Sequence, residues 1–145
     1  MAAISSETIP RHQRIARGLR VRPGSVGEVV RRAPECDWIL LATPYVVEEV
    51  LANLPNLPAT ATADWARLRP DLALMDDVLT LDRAAVFESA KDRPILFGAL
   101  AWSDVLLTLD RSDFGALLGG TFYGLDVLTP GMFLERERGA GRLKE

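Results

Sequence analysis

The chain is poor in the residues that carry thiol and soft-metal chemistry: 145 residues hold one cysteine, Cys36, and one histidine, His12. A single thiol closes no internal disulfide, and neither residue has the partners that a zinc site or a Cys/His nucleophile pair demands. Both read as structural or incidental. Long apolar runs are also missing. The longest, such as 38–42 and 105–107, fall far short of the roughly 20 residues that a membrane span requires, so no segment is expected to cross a bilayer. The N-terminus has arginines but no apolar stretch behind them of the kind a secretion signal carries. A reducing cytoplasm is therefore the expected compartment.

What is present suits a folded protein. Hydrophobic residues make up 48% of the chain and charged residues 26%, a globular profile rather than a disordered one, and the length fits one domain with a real core. Charge is unevenly spread. Residues 1–32 hold seven arginines against Glu7 and Glu28, a balance of +5, so the −3 net charge leaves −8 for the remainder. The arm RHQRIARGLRVR has the composition to lie along a phosphate backbone, although a solvated or poorly ordered terminus is the plainer reading.

Short apolar runs alternate with longer periodic ones. A helix is expected over 27–32 after the turn signal Pro23-Gly24-Ser25, and a buried strand over 38–42. Thr43 then caps a helix with Pro44 at its first position and Val46, Val50 and Leu54 along one face. A helix over 63–68 and a strand over 72–75 follow. Residues 77–90 read as irregular with some strand. Helical periodicity returns over 94–102, where Ile95, Ala99 and Leu100 form the expected packing face and Phe97 lies off it. A strand over 105–109, a short helix over 113–118, a break at Gly119-Gly120, a strand over 126–128 and a last helix from Pro130 complete the chain. Alternation of this kind implies right-handed crossovers and a mostly parallel sheet covered on both faces, a three-layer α/β/α sandwich.

In such sheets ligands gather beyond the carboxyl ends of the strands. Glu48 and Glu49 lie in the helix after the first readable strand. Asp92 opens the helix of 94–102, and Asp110 and Asp113 stand just past the 105–109 strand. Capping and turn chemistry is the plain explanation of these carboxylates. The alternative is convergence on one rim, where they would repel one another unless a cation sat among them. Magnesium or manganese suits such oxygen donors.

The segments VVEEVL, KDRPILFGAL, LLTLDRSDF and VLTPGMFL, in that order, resemble the PIN domain, a family of small metal-dependent ribonucleases widespread as toxins of bacterial toxin–antitoxin pairs. The resemblance spans residues 24–138, with a basic N-terminal arm over 1–23 and a tail over 139–145. It implies an endoribonuclease dependent on Mg²⁺ or Mn²⁺, with Glu49, Asp92 and Asp110 as catalytic metal ligands and Asp113 as an auxiliary one. Glu48 stands as the alternative to Glu49, since adjacent helical residues point about 100° apart. RNA is the implied substrate, an antitoxin the implied partner, and a homodimer a further implied assembly. PIN domains open with a central strand ending in an aspartate that binds metal. Here the matching region, SSETIPRHQRIARGLRVRPGS, has no aspartate and no hydrophobic run. The N-terminal strand is thus expected to be atypical or absent, the chain truncated or misread there, and the chemistry impaired. The alternative function is a non-catalytic PIN-like protein that binds RNA or another protein.

Overall fold

The computed structural model describes residues 13–17, 25–78, 80, 87, 90–109 and 111–143. Its elements are, in chain order, β1 (Gln13–Arg17), α1 (Ser25–Arg32), β2 (Trp38–Ala42), α2 (Pro44–Asn53), α3 (Thr60–Leu68), β3 (Ala73–Leu74), α4 (Arg93–Trp102), β4 (Val105–Leu107), β5 (Gly120–Phe122), β6 (Leu125–Leu128) and α5 (Pro130–Gly139). The fold is α/β. One six-stranded sheet runs in the order β3-β2-β1-β4-β6-β5, parallel except for the antiparallel β5.

The main correction to the sequence reading lies at the N-terminus. The stretch read as an arm supplies β1, and β1 is central. Ile15 stands opposite Leu40 of β2 on one side and Val105 of β4 on the other. Central parallel strands are usually near-continuous apolar runs, and QRIAR is not one. Here pairing along both strand edges, rather than local hydrophobicity, defines the element. His12 lies outside the described residues, as do 81–86 within the stretch read as irregular.

The helix starts follow from a repeated device. Thr43 and Thr129 end β2 and β6 in extended backbone and accept hydrogen bonds from the amides of Val46 and Met132, at 3.4 and 3.2 Å. Each is followed by a proline, whose fixed φ and missing N–H suit a first helical position. Opposite sides of β2 then meet different helices, because successive strand side chains alternate. Trp38 packs edge-on against Phe133 of α5, with ring centroids 4.7 Å apart. Leu41 instead shares an apolar seam with Val46, Leu106 and the Ile95, Gly98 and Ala99 face of α4. Gly98 lets α4 approach the α2 cap, since a β-carbon there would lie 3.1 Å from Thr43 Cγ2.

The buried face of α4 is Ile95, Leu96, Gly98 and Ala99, with the half-buried Leu100 packed against the same core as expected. One other expectation changes. The stretch 113–118 is a set of turns rather than a helix, anchored by the fully buried Phe114. Beyond it, β5 and β6 form a hairpin across Tyr123-Gly124. Both turn residues have positive φ, 48° and 86°, as a two-residue turn that matches strand twist requires.

The described end of the chain folds back onto α5. Glu137 is completely buried, and the Arg142 guanidinium grips its two oxygens at 2.5 and 2.8 Å. Leu143 is buried beside it. Arg136 extends this network to Asp126 of β6 at 2.6 Å. The two partners of the Glu137–Arg142 pair differ in exposure, since the Arg142 side chain is 51% exposed. Removing the arginine leaves a buried carboxylate with the longer 3.5 Å contact to Arg136, while neutralising the glutamate leaves a guanidinium that can turn to water. Arg142→Ala should therefore cost about 3 kcal/mol in a urea melt and Glu137→Gln distinctly less. Equal costs would show that the pair is not organised around the buried carboxylate.

Candidate functional site

The loops that leave β2, β3 and β4 and the turn that enters α4 gather beyond the carboxyl ends of the parallel strands. Tyr45, at the second position of α2, ties three of these segments together. Its backbone N–H donates to Asp77 Oδ1 at 3.1 Å, beyond β3, and its hydroxyl donates to the Lys91 carbonyl at 2.6 Å, just before α4. Trp102, at the far end of α4, donates its indole N–H to the Asp76 carbonyl at 2.9 Å. Arg93 donates to the Phe87 carbonyl, and the Phe87 ring stacks on Phe114.

Asp92 answers the question of capping. It occupies the N-cap position of α4, but its backbone is helical and its carboxylate caps no amide of that helix. Its carbonyl accepts from Leu96 instead, and the residue is only 4% exposed. Simple helix capping therefore does not explain this residue.

Glu49 stands one turn after Tyr45 on α2, exposed, with its carbonyl accepting from Asn53 Nδ2. Desolvation pushes the Tyr45 phenol above its ordinary pKa; the negative charges of Glu49 and Asp92 push it further, and Lys91 pulls it back. Two carboxylates from different helices therefore act on one phenol, and of the adjacent pair it is Glu49 rather than Glu48 that does so. Asp113 is half-buried and takes the Lys91 ammonium at 3.1 Å. Asp110 lies outside the described residues. Thus Glu49, Asp92 and Asp113 all border the Tyr45–Lys91 linkage.

Carboxylate oxygens are the donors a hard divalent ion prefers. Their grouping falls short. Among the described residues, no three Asp, Glu, His or Cys side chains group closely enough to hold a metal. The lone thiol offers no substitute, because burial pushes the Cys36 pKa up, opposite to an activated nucleophile.

No family model matches the chain, and no curated protein or solved structure is significantly similar to it. The site therefore has to be read from its own residues.

Three of those residues escaped the sequence reading: Tyr45, Asp77 and Lys91. The Tyr45–Glu49 spacing did hold a signal, because residues four apart share a helix face. The links to Asp77 and Lys91 join positions 32 and 46 residues apart in sequence, and no local pattern carries them.

The Tyr45 environment has a stability consequence. A raised phenol pKa means that the fold disfavours the phenolate, so the associated stability is complete below the unfolded value of about 10 and is lost as pH rises through the folded value. Denaturant melts between about pH 9 and 11 should show a loss in the native chain that is smaller in Tyr45→Phe. Parallel profiles for the two would rule out the proposed environment of the phenol.

Proposed function

We propose that the chain is a PIN-type protein with the three-layer α/β/α arrangement of that family, and that its acidic edge serves divalent-metal-dependent endoribonuclease chemistry. The observation that carries this reading is the burial of Asp92 at the entrance of α4, next to the Lys91 carbonyl that the Tyr45 hydroxyl of α2 holds at 2.6 Å. The strand order supports it as well, because a central β1 flanked by β2 and β4 brings the exits of two parallel strands beside the entrance of α4.

Glu49, Asp92 and Asp110 would hold Mg²⁺ or Mn²⁺, with Asp113 as the auxiliary ligand. A bound ion of this kind supplies an activated water and charge against the phosphodiester oxygens. The chain's own residues do the positioning. The Tyr45 hydroxyl fixes the Lys91 carbonyl next to Asp92, and its N–H fixes Asp77. Misplacement of a ligand by a fraction of an ångström is costly to such chemistry. RNA is the proposed substrate and an antitoxin protein the proposed partner, as for the toxin of a toxin–antitoxin pair. The edge position of β5, with Gly120 and Thr121 exposed, supports pairing with a second copy.

One observation favours a second reading, a PIN-like protein that binds RNA or a partner protein without cutting. The central strand is Gln-Arg-Ile-Ala-Arg and contributes no carboxylate. On either reading the native chain is a poor nuclease. The test is cleavage of single-stranded RNA with Mn²⁺ by the native chain and by a chain whose residues 1–22 are replaced with a strand ending in Asp-Ala-Asn. The endoribonuclease reading predicts weak cutting that rises steeply in the rebuilt chain and is abolished there by Asp92→Asn. A rebuilt chain that folds stably and binds RNA without cutting it would establish the second reading instead.

A further inference from the structure

We propose that a single strand of RNA crosses the carboxyl edge on its α4–β4 side, with its phosphates held by Arg93 and Arg111. The proposal deepens the RNA reading above, on which it rests, and it involves no divalent ion. Its basis is a division of charge across the edge. On the α2–β3 side, Glu48, Glu49, Asp76 and Asp77 are all exposed, and residues 43–53 and 73–78 contain no lysine or arginine. On the α4–β4 side the order is reversed. Arg93 and Arg111 are exposed and the Lys91 side chain is 71% exposed, whereas Asp92 is 4% exposed and the Asp113 side chain 28%, paired with Lys91 at 3.1 Å. Among the described residues of this side, solvent therefore meets the cations and the carboxylates are withdrawn from it.

The two arginines belong to one surface. The Lys91–Asp113 pair joins the start of α4 to the turn after β4, and the Phe87 ring stacks on Phe114, in that same turn, with centroids 5.4 Å apart. Arg93 donates its Nε to the Phe87 carbonyl at 2.9 Å, which orients the guanidinium beside that stack. A guanidinium is a planar fork of donors suited to phosphate oxygens, and each phosphate neutralised releases counterions. A polyanion is repelled by the exposed carboxylates of the α2–β3 side and attracted by the opposite side, so the division of charge sets its path as well as its affinity. The chain as a whole carries a net charge of −3, so the attraction has to be local.

Fluorescence anisotropy of a labelled single-stranded RNA, titrated in EDTA at several salt concentrations, tests the path. Arg93→Gln and Arg111→Gln should each weaken binding about three- to tenfold, and each should lower the slope of log affinity against log salt by about 0.7. Arg67→Gln on α3 removes the same charge from a side chain that is 81% exposed and should bind as the native chain does. Glu48→Gln should bind at least as tightly as the native chain. Arg93→Lys keeps the charge without the fork and should fall between the native chain and Arg93→Gln; it and Arg111→Gln decide the matter if Arg93→Gln lowers the urea midpoint. RNA binding that both arginine positions leave unchanged, or that Arg67→Gln weakens equally, overturns this inference alone. Absence of RNA binding by the native chain overturns the RNA reading along with it.

Discussion

The structure depends on the pairing of five residues, Gln13–Arg17, along both edges of their backbone. Parallel strands cannot be joined by tight turns, so β2 and β4 reach one another only through long crossovers and a strand between them. β1 is that strand. It holds the exit of β2, which leads through Thr43 into Tyr45 and Glu49, at a fixed distance from the exit of β4, which leads toward Asp110 and Asp113. The apolar seam of Leu41, Val46 and Leu106 faces Ile95, Gly98 and Ala99 of α4. The entrance of α4, where Asp92 is buried, rests on that seam.

Charge is handled at two separate places by two different means. Beside α5, a buried glutamate is matched in both oxygens by one arginine, an arrangement that is specific in geometry and expensive to break by halves. At the carboxyl edge the contacts join separate segments. Lys91 serves Asp113, and Asp92 and Glu49 both act on the phenol of Tyr45.

Much of the architecture is legible locally. The Thr-Pro pairs at 43–44 and 129–130 mark two strand-to-helix junctions, and the apolar runs of 38–42 and 105–107 mark two strands. The elements that escape local reading are those made by distant partners. QRIAR has the composition of a solvated arm and becomes a strand because β2 and β4 flank it. Gly120–Phe122 has a glycine break at its start and becomes a strand because β6 follows a two-residue turn. The same division runs through the site. Asp92 and Glu49 announce themselves by type and by position beside predicted elements, whereas Lys91 and Asp77 matter through contacts with Tyr45 and Asp113 that only the folded chain creates.

The central claim is that the carboxylates at this edge form one cation-binding locus. Paramagnetic broadening of amide resonances by substoichiometric Mn²⁺ maps such a locus directly, because the effect decays steeply with distance from the ion. The account predicts selective loss of signals around Tyr45 to Glu49, Lys91 to Ile95 and Arg111 to Phe114, with the Glu137–Arg142 region unaffected. Broadening spread evenly over the acidic surface, or centred away from Asp92, would contradict it.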